Sequence, residues 1–242
     1  GPVEAASGTE RGVIPQATLL DETKLYAVCY AETDGTVSDT TWRDSYIRVR
    51  MTKVVSISSH SITHVTNGGI AREGDTQEYI RNAVITPEVK QLKLTYDGSM
   101  AVSKYMSFVD ETGNSMFPCS NGTLATAAAG PSSSGVYQAD GSSVLSMDTS
   151  MMSTTTTFAG CYTEGDGTAS AAWTDSGIRF TVSRVTTIKY GTETSSIPIR
   201  TMSSTNIAAA TNTLPQEAGR AIVTYTGDLA SAKWLSLVDS TL

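Results

Sequence analysis

Apolar and polar residues alternate along several short stretches of the chain, the pattern typical of β-strands with one buried face. In residues 46–53 apolar side chains fall on alternate positions from Ile47 to Met51, and the same pattern returns in 177–182. The Asp-Gly pairs at 34–35 and 166–167 supply hairpin turn chemistry. Further strands are predicted at 25–30, 92–96, 105–109, 157–162, 223–227 and 235–238.

The chain contains an internal repeat. The segment that begins at Tyr26 reads YAVCYAETDGTVSDTTWRDSYIRVRMTKV and returns 132 positions later, at Phe158, as FAGCYTEGDGTASAAWTDSGIRFTVSRV. A second block begins at Leu94 and reads LTYDGSMAVSKYMSFVDET. It returns 129 positions later, at Val223, as VTYTGDLASAKWLSLVDST. A repeat of short strands separated by turns indicates tandem β-sandwich units.

The order of these blocks predicts one complete central unit flanked by two complementary half-units. In the complete unit we expect Leu94, Tyr162, Trp173, Ile178, Phe180 and Val182 to be buried. The predicted segments are a flexible N-terminus or tag remnant (1–12), the C-terminal half of a unit (13–54), a linker or edge segment (55–87), a complete sandwich (88–187) and the N-terminal half of the next unit (188–242).

Composition narrows the class of protein. Of the 242 residues 39% are hydrophobic and 17% are charged, and the net charge is −7 with a pI of about 4.8. An acidic protein repels a phosphate backbone, so nucleic acid is not expected as a partner. No stretch reaches the ~20 apolar residues that span a bilayer, so no membrane span is predicted.

The motifs resemble a known class of repeat. A strand with Tyr96 and Gly98 is followed by Phe108-Val-Asp, by Pro118-Cys, and by FAxCYxExDGTxxxxWxDSGIRxxV from Phe158. This pattern resembles tandem Ig-like (E-set or fibronectin-like) repeats of very large surface proteins of algae and other protists. The resemblance covers most of the chain. It implies an all-β fold of Ig-like sandwiches, used as extracellular structural or adhesive modules without catalytic residues.

Three cysteines allow at most one intrachain disulfide. Cys119 and Cys161 fall in the same complete unit, at positions that suit a bridge between sheets. The alternative is that both are small buried side chains. Cys29 is expected to lack a partner, because its mate would belong to a half-unit outside this chain.

Several polar motifs are candidate sites. Asn121-Gly-Thr is an N-glycosylation sequon, which makes a glycan a candidate modification of a secreted protein. His60 and His64 would form a metal pair on a helix, but the extended pattern around them favours surface residues. Asp34 and Asp166 recur in acidic loops and are candidate calcium ligands, against a simpler role in the turns. We therefore expect no metal and no cofactor.

The chain shows none of the sequence signatures of an enzyme, such as a GxSxG elbow, a phosphate loop or HExxH. The favoured interpretation is a non-catalytic structural subunit that self-assembles into a filament, hair or surface layer, extracellular or on the cell surface. Alternatives are a carbohydrate- or protein-binding adhesin, a sheet-forming shell protein inside an algal plastid, and a cryptic hydrolase.

The half-units suggest how copies would associate. Each half is expected to leave unpaired strand edges and an exposed apolar face, and two such halves can complete one sandwich. Completion within one chain would give a closed monomer. Completion between chains, which we favour, would make the partner a further copy, either in a head-to-tail homopolymer or as a neighbouring repeat.

Overall fold

The computed structural model describes residues 2–5, 8, 20–59, 62–64, 67–70, 92–190, 200–203, 212–214, 216 and 222–239. Strands in four sheets make up nearly all of the regular secondary structure in these residues, so the all-β prediction is confirmed. The chain divides into two compact units, Gly1–Lys53 and Val54–Leu242. Among the described residues, no helix reaches the length and apolar character that a membrane crossing needs.

The first unit is built on one antiparallel hairpin of β1 (Leu25–Tyr30) and β2 (Arg43–Arg50). The second unit contains the remaining strands and three short helical turns. The strands are β3 (Val54–Ser59), β4 (Ile62–His64), β5 (Asn67–Ile70), β6 (Leu92–Gly98), β7 (Tyr105–Asp110), β8 (Ser133–Gln138), β9 (Val144–Met147), β10 (Phe158–Thr163), β11 (Thr174–Val182), β12 (Val185–Tyr190), β13 (Arg200–Ser203) and β14 (Val223–Gly227). The helical turns are α1 (Gly113–Met116), a 3-10 turn (Pro118–Ser120) and α2 (Gly122–Ala125).

Two sheets of the second unit enclose one hydrophobic core, which makes a sandwich. One sheet has the strand order β4-β3-β6-β9 and the other β5-β11-β10-β7-β8. Neighbouring strands are antiparallel except β5, which pairs parallel with β11. The core side chains come from both sheets: Val54, Ile57, Leu92, Leu94, Tyr96, Met106, Phe108, Leu145, Met147, Phe158, Tyr162, Ile178, Phe180 and Val182.

Three phenylalanines from three adjacent strands lie at the centre of this core. The ring of Phe180 meets Phe108 edge-on, with centroids 4.8 Å apart, and stacks near Phe158 at 6.0 Å. All three side chains are fully buried. Burial of rings this size contributes several kcal/mol each to the free energy of unfolding, by about 25 cal/mol per Å² of apolar area.

A second, smaller core covers the outer face of the five-stranded sheet. Trp173 packs there beside Val109 and Ala125, next to the disulfide between Cys119 and Cys161. The helical turns at 113–125 bring Cys119 and Ala125 over this face. All six side chains predicted to be buried are buried, because Trp173 belongs to this outer core and the other five to the inner one.

Strands also form in the segment predicted as a linker or edge, 55–87. In it β3 hydrogen-bonds to β6, and β5 pairs with β11, so the sandwich begins at Val54. A bulge between Val54 and Ser56 shifts the alternation, which places the buried side chains at 54, 57 and 59. That spacing hides the strand from a search for a period of two.

A third sheet, in the order β13-β12-β14, follows the sandwich. Its strand β12 crosses the boundary predicted between 187 and 188. The pairing of β12 with β14 reproduces the pairing of β3 with β6, including the bulge at the first pair: Val185 lies opposite Gly227 as Val54 lies opposite Gly98. This sheet is therefore a structural copy of part of the sandwich.

The two copies of the hairpin provide a matched test of burial. Ile178→Ala should lower the free energy of unfolding by about 2–5 kcal/mol, because it leaves a cavity in the core. Ile47→Ala, the same change at the exposed position of the copy, should leave the urea midpoint of dilute protein unchanged. Equal losses in chemical denaturation would contradict the burial difference.

Candidate interaction surface

The hairpin of β1 and β2 has the same backbone pairing as the hairpin of β10 and β11. Tyr26 lies opposite Val49 as Phe158 lies opposite Phe180, and in both hairpins a bulge follows the next pair, Ala27 with Arg48 and Ala159 with Arg179. The repeat detected in the sequence is therefore also a repeat in structure.

Local polar contacts shape both hairpins in the same way. Arg48 donates two hydrogen bonds to Asp44, at 2.8 and 2.7 Å, and Arg179 donates the same pair to Asp175. Ser45 Oγ donates to the carbonyl of Val28 at 2.6 Å, as its counterpart Ser176 does to Gly160 at 2.7 Å. These contacts lie within each hairpin, and they are the same in both copies.

The carboxyl groups in these contacts are held ionised. Hydrogen bonds from Arg48 hold the pKa of Asp44 below its ordinary value of 3.8. Burial raises the pKa of Asp175, but hydrogen bonds from Arg179 and Gly177 outweigh it, so the pKa is lowered overall. Arg179 also lies 3.4 Å from a carboxyl oxygen of Glu111 at the end of β7, which links the hairpin to the neighbouring strand.

The two hairpins differ in what covers them. Ile178 and Phe180 are each 1% exposed, whereas their counterparts Ile47 and Val49 are 57% and 38% exposed. Val28 and Tyr30 are exposed on the same face of β1. We call this apolar surface, formed by Val28, Tyr30, Ile47 and Val49, the open hairpin face. Apolar residues whose counterparts are buried in the sandwich are therefore exposed in the first hairpin.

The third sheet also exposes apolar residues whose counterparts are buried in the sandwich. Its residues Val223 and Tyr225 correspond to the core residues Leu94 and Tyr96, yet Val223 is exposed and Tyr225 only half-buried. Exposure of apolar faces to water is unfavourable in free energy, and contiguous ones mark interaction sites.

The segment 234–238 corresponds to β7 but is not a strand. In the central sandwich, β7 pairs with both β10 and β8, and Phe108 is fully buried. The counterpart Leu237 is 82% exposed, and Trp234, Leu235 and Val238 are exposed as well. We call residues 234–238 the open segment. Its sequence has the pattern of the internal strand β7, and the 129-residue repeat is the signal that identifies it.

The predicted polar sites take up structural roles. The side chain of Asp34 accepts hydrogen bonds from both N and Oγ1 of Thr36, and Asp166 does the same with Thr168. The hydrogen bond from Thr168 lowers the pKa of Asp166. Each aspartate thus closes its own turn, and among the described residues no group of three or more acidic, histidine or cysteine side chains is placed to hold a metal ion.

The remaining predicted sites are Asn121 and the histidines His60 and His64. Asn121 Oδ1 caps α2 by accepting hydrogen bonds from the backbone N–H of Thr123 and Leu124, at 3.0 and 3.3 Å. Its glycosylation stays a prediction. His60 lies outside the described residues, and of His64 the structure describes only the backbone position at the end of β4.

The expected disulfide is present. Cys119 and Cys161 are bonded, with their Cα atoms 5.3 Å apart, and Cys29 is a free, exposed cysteine. The bond ties the 3-10 turn to β10 on the outer face of the sheet. Cys29 corresponds to Cys161 in the repeat, so the first hairpin has a free thiol where the central sandwich has a disulfide.

Comparisons with protein-family models, with curated protein sequences and with solved structures found no match to this chain.

Removing the disulfide should destabilise the sandwich. The bond closes a loop with a sequence separation of 42 residues, so the double variant Cys119→Ala with Cys161→Ala should lose about 4 kcal/mol of unfolding free energy in the chain-entropy model. Urea titration without reductant measures this loss. The control Cys29→Ala should match the native chain, and an equal loss in the control would contradict the assignment.

Stability should depend on pH through Asp175. Its pKa is lower in the folded chain than the ordinary 3.8, so the stabilisation is complete above the unfolded-state pKa and is lost as the pH falls through the folded-state pKa. Asp175→Asn should cost about 1 kcal/mol near pH 7, because the pair is partly solvent-screened. The difference from the native chain should shrink in acid, as urea titrations between neutral pH and pH about 2 would show. The control Asp44→Asn should leave the transition of the sandwich unchanged, and a cost of Asp175→Asn that grew in acid would contradict the sign.

Proposed function

We propose that this protein is a non-catalytic structural subunit of Ig-like sandwich repeats that assembles with copies of itself into an extracellular filament, hair or surface layer. The open hairpin face carries this proposal. The same hairpin appears twice in one chain, once under a second sheet with Ile178 at 1% exposure and once uncovered with Ile47 at 57%.

The central sandwich supplies the template for what covers the open face. There the hairpin of β10 and β11 packs against β3 and β6, and the pairing of β3 with β6 is reproduced by β12 and β14. The third sheet and the open segment therefore carry the elements that the first hairpin lacks. Covering both faces would remove several exposed apolar side chains from water, at about 25 cal/mol per Å².

The two complementary surfaces are different parts of the same chain. A contact between different surfaces is heterologous, and repeated head to tail it generates a filament unless the rotation closes a ring. This supports an assembly of indefinite length over a symmetric dimer, which would need one self-complementary surface.

The disulfide supports an oxidising location. Disulfides persist in extracellular and other oxidising compartments and are rare in the cytosol of most organisms. The bond between Cys119 and Cys161 lies in the buried outer core, as a permanent structural bond does. This favours an extracellular or cell-surface assembly over the plastid alternative.

A charged residue on the open hairpin face should block assembly. The native chain should show sedimentation coefficients that rise with concentration in analytical ultracentrifugation, and filaments or sheets in negative-stain electron microscopy. Val49→Asp should weaken association by roughly a hundredfold or more, because burying an unpaired carboxylate costs several kcal/mol.

The matched control is Val37→Asp, which makes the same chemical change at a fully exposed position in the loop of the same hairpin. It should associate like the native chain. A native chain that stays monomeric at high concentration while the amides of β1 and β14 are protected from hydrogen exchange would show closure within one chain. That result would overturn the proposal.

A further inference from the structure

The central sandwich also specifies how two copies would join, strand to strand. We infer that the open segment of one copy becomes a β-strand that pairs antiparallel with β1 of the next copy, with Ser236 directly opposite Cys29. This inference rests on the proposed self-assembly and adds the partner segment and its register.

The strand neighbours of the two hairpins provide the first argument. In the sandwich β10 has two neighbours, β11 on one side and β7 on the other. Among the described residues β1 has the single neighbour β2, so its other edge is open. An open edge presents a row of backbone groups that another strand can pair with.

The register follows from the repeat. In the sandwich, Cys161 lies opposite Ser107 and Gly160 opposite Phe108. Subtracting 132 from the β10 numbers and adding 129 to the β7 numbers gives the corresponding pairs in the assembly. These are Ala27 with Val238, Val28 with Leu237, Cys29 with Ser236, Tyr30 with Leu235 and Ala31 with Trp234.

Side-chain sizes at these pairs are complementary. In the sandwich, Gly160 faces Phe108 closely, and a Cβ atom added to the glycine would lie 3.4 Å from the ring. In the assembly, the larger Val28 would take the place of Gly160, and the smaller Leu237 would take the place of Phe108.

A second pair changes in the opposite direction. Where the sandwich pairs Thr163 with Tyr105, the assembly would pair the smaller Ala31 with the larger Trp234. Because an increase on one strand coincides with a decrease on the other at both positions, the two segments fit each other as partners.

The native free cysteine makes the register measurable. Directly opposite residues of antiparallel strands have Cα atoms about 4.5–5.5 Å apart, within the range of about 4.4–6.8 Å that a disulfide spans. Ser236→Cys in the full-length chain would therefore place a thiol opposite Cys29 on the same face of the sheet. Ser236 is exposed, so the substitution leaves the folded chain intact.

The control is Leu237→Cys, which moves the thiol to the other face of the strand because side chains alternate. After mild oxidation with diamide, Ser236→Cys should give a ladder of two, three and more chains on a non-reducing gel. Leu237→Cys should give at least tenfold less of these species. Mass spectrometry of the cross-linked peptide should identify Cys29 joined to position 236.

Four other outcomes would overturn the inference, each in a distinguishable way. Loss of both thiols in a single chain would show that the partner is the same molecule. Equal cross-linking of both variants would show that the register is wrong. Native protein that assembles by ultracentrifugation while neither variant cross-links would reject this strand pairing and leave the proposed function standing; a native chain that never assembles would reject both.

Discussion

The contact of Phe180 with Phe108 and Phe158 is the interaction on which the central sandwich depends. These rings come from β11, β7 and β10, so they join the hairpin of β10 and β11 to β7, which lies far from it in sequence. In the first hairpin the counterparts of Phe180 and Phe158 are Val49 and Tyr26, whereas the counterpart of Phe108 is Leu237 in the open segment. The aromatic contact therefore distinguishes the central sandwich from the first hairpin.

Comparison of the two repeats separates local from nonlocal control of structure. The first hairpin retains its register and its Asp44–Arg48 pair without a covering sheet, because its hydrogen bonds lie within it. The open segment behaves differently. Its sequence closely matches that of β7, yet it forms no strand, since a β-strand needs a neighbour for its backbone groups.

Sequence patterns predict the parts of this fold that depend on local periodicity. The alternation locates β1, β2, β6, β7, β10, β11 and β14, and the repeat places Cys119 and Cys161 in one unit. The bulge after Val54 hides β3. The parallel pairing of β5 with β11 is nonlocal and leaves no periodic signal. The open hairpin face follows from the repeat, but its exposure required the structure, because the residue types alone indicate a core.

The close approach at Gly160 has a consequence for fidelity during folding. A Cβ atom there would lie 2.9 Å from Ser176 Oγ and 3.4 Å from the Phe108 ring, so the central sandwich has little room for a larger residue. If the first hairpin of a neighbouring chain replaced β10 and β11, it would place Val28 against that ring. Domain swapping into the finished sandwich is thereby penalised. Gly160 thus distinguishes the two hairpins of the repeat, because the residue at the same position of the first hairpin is Val28.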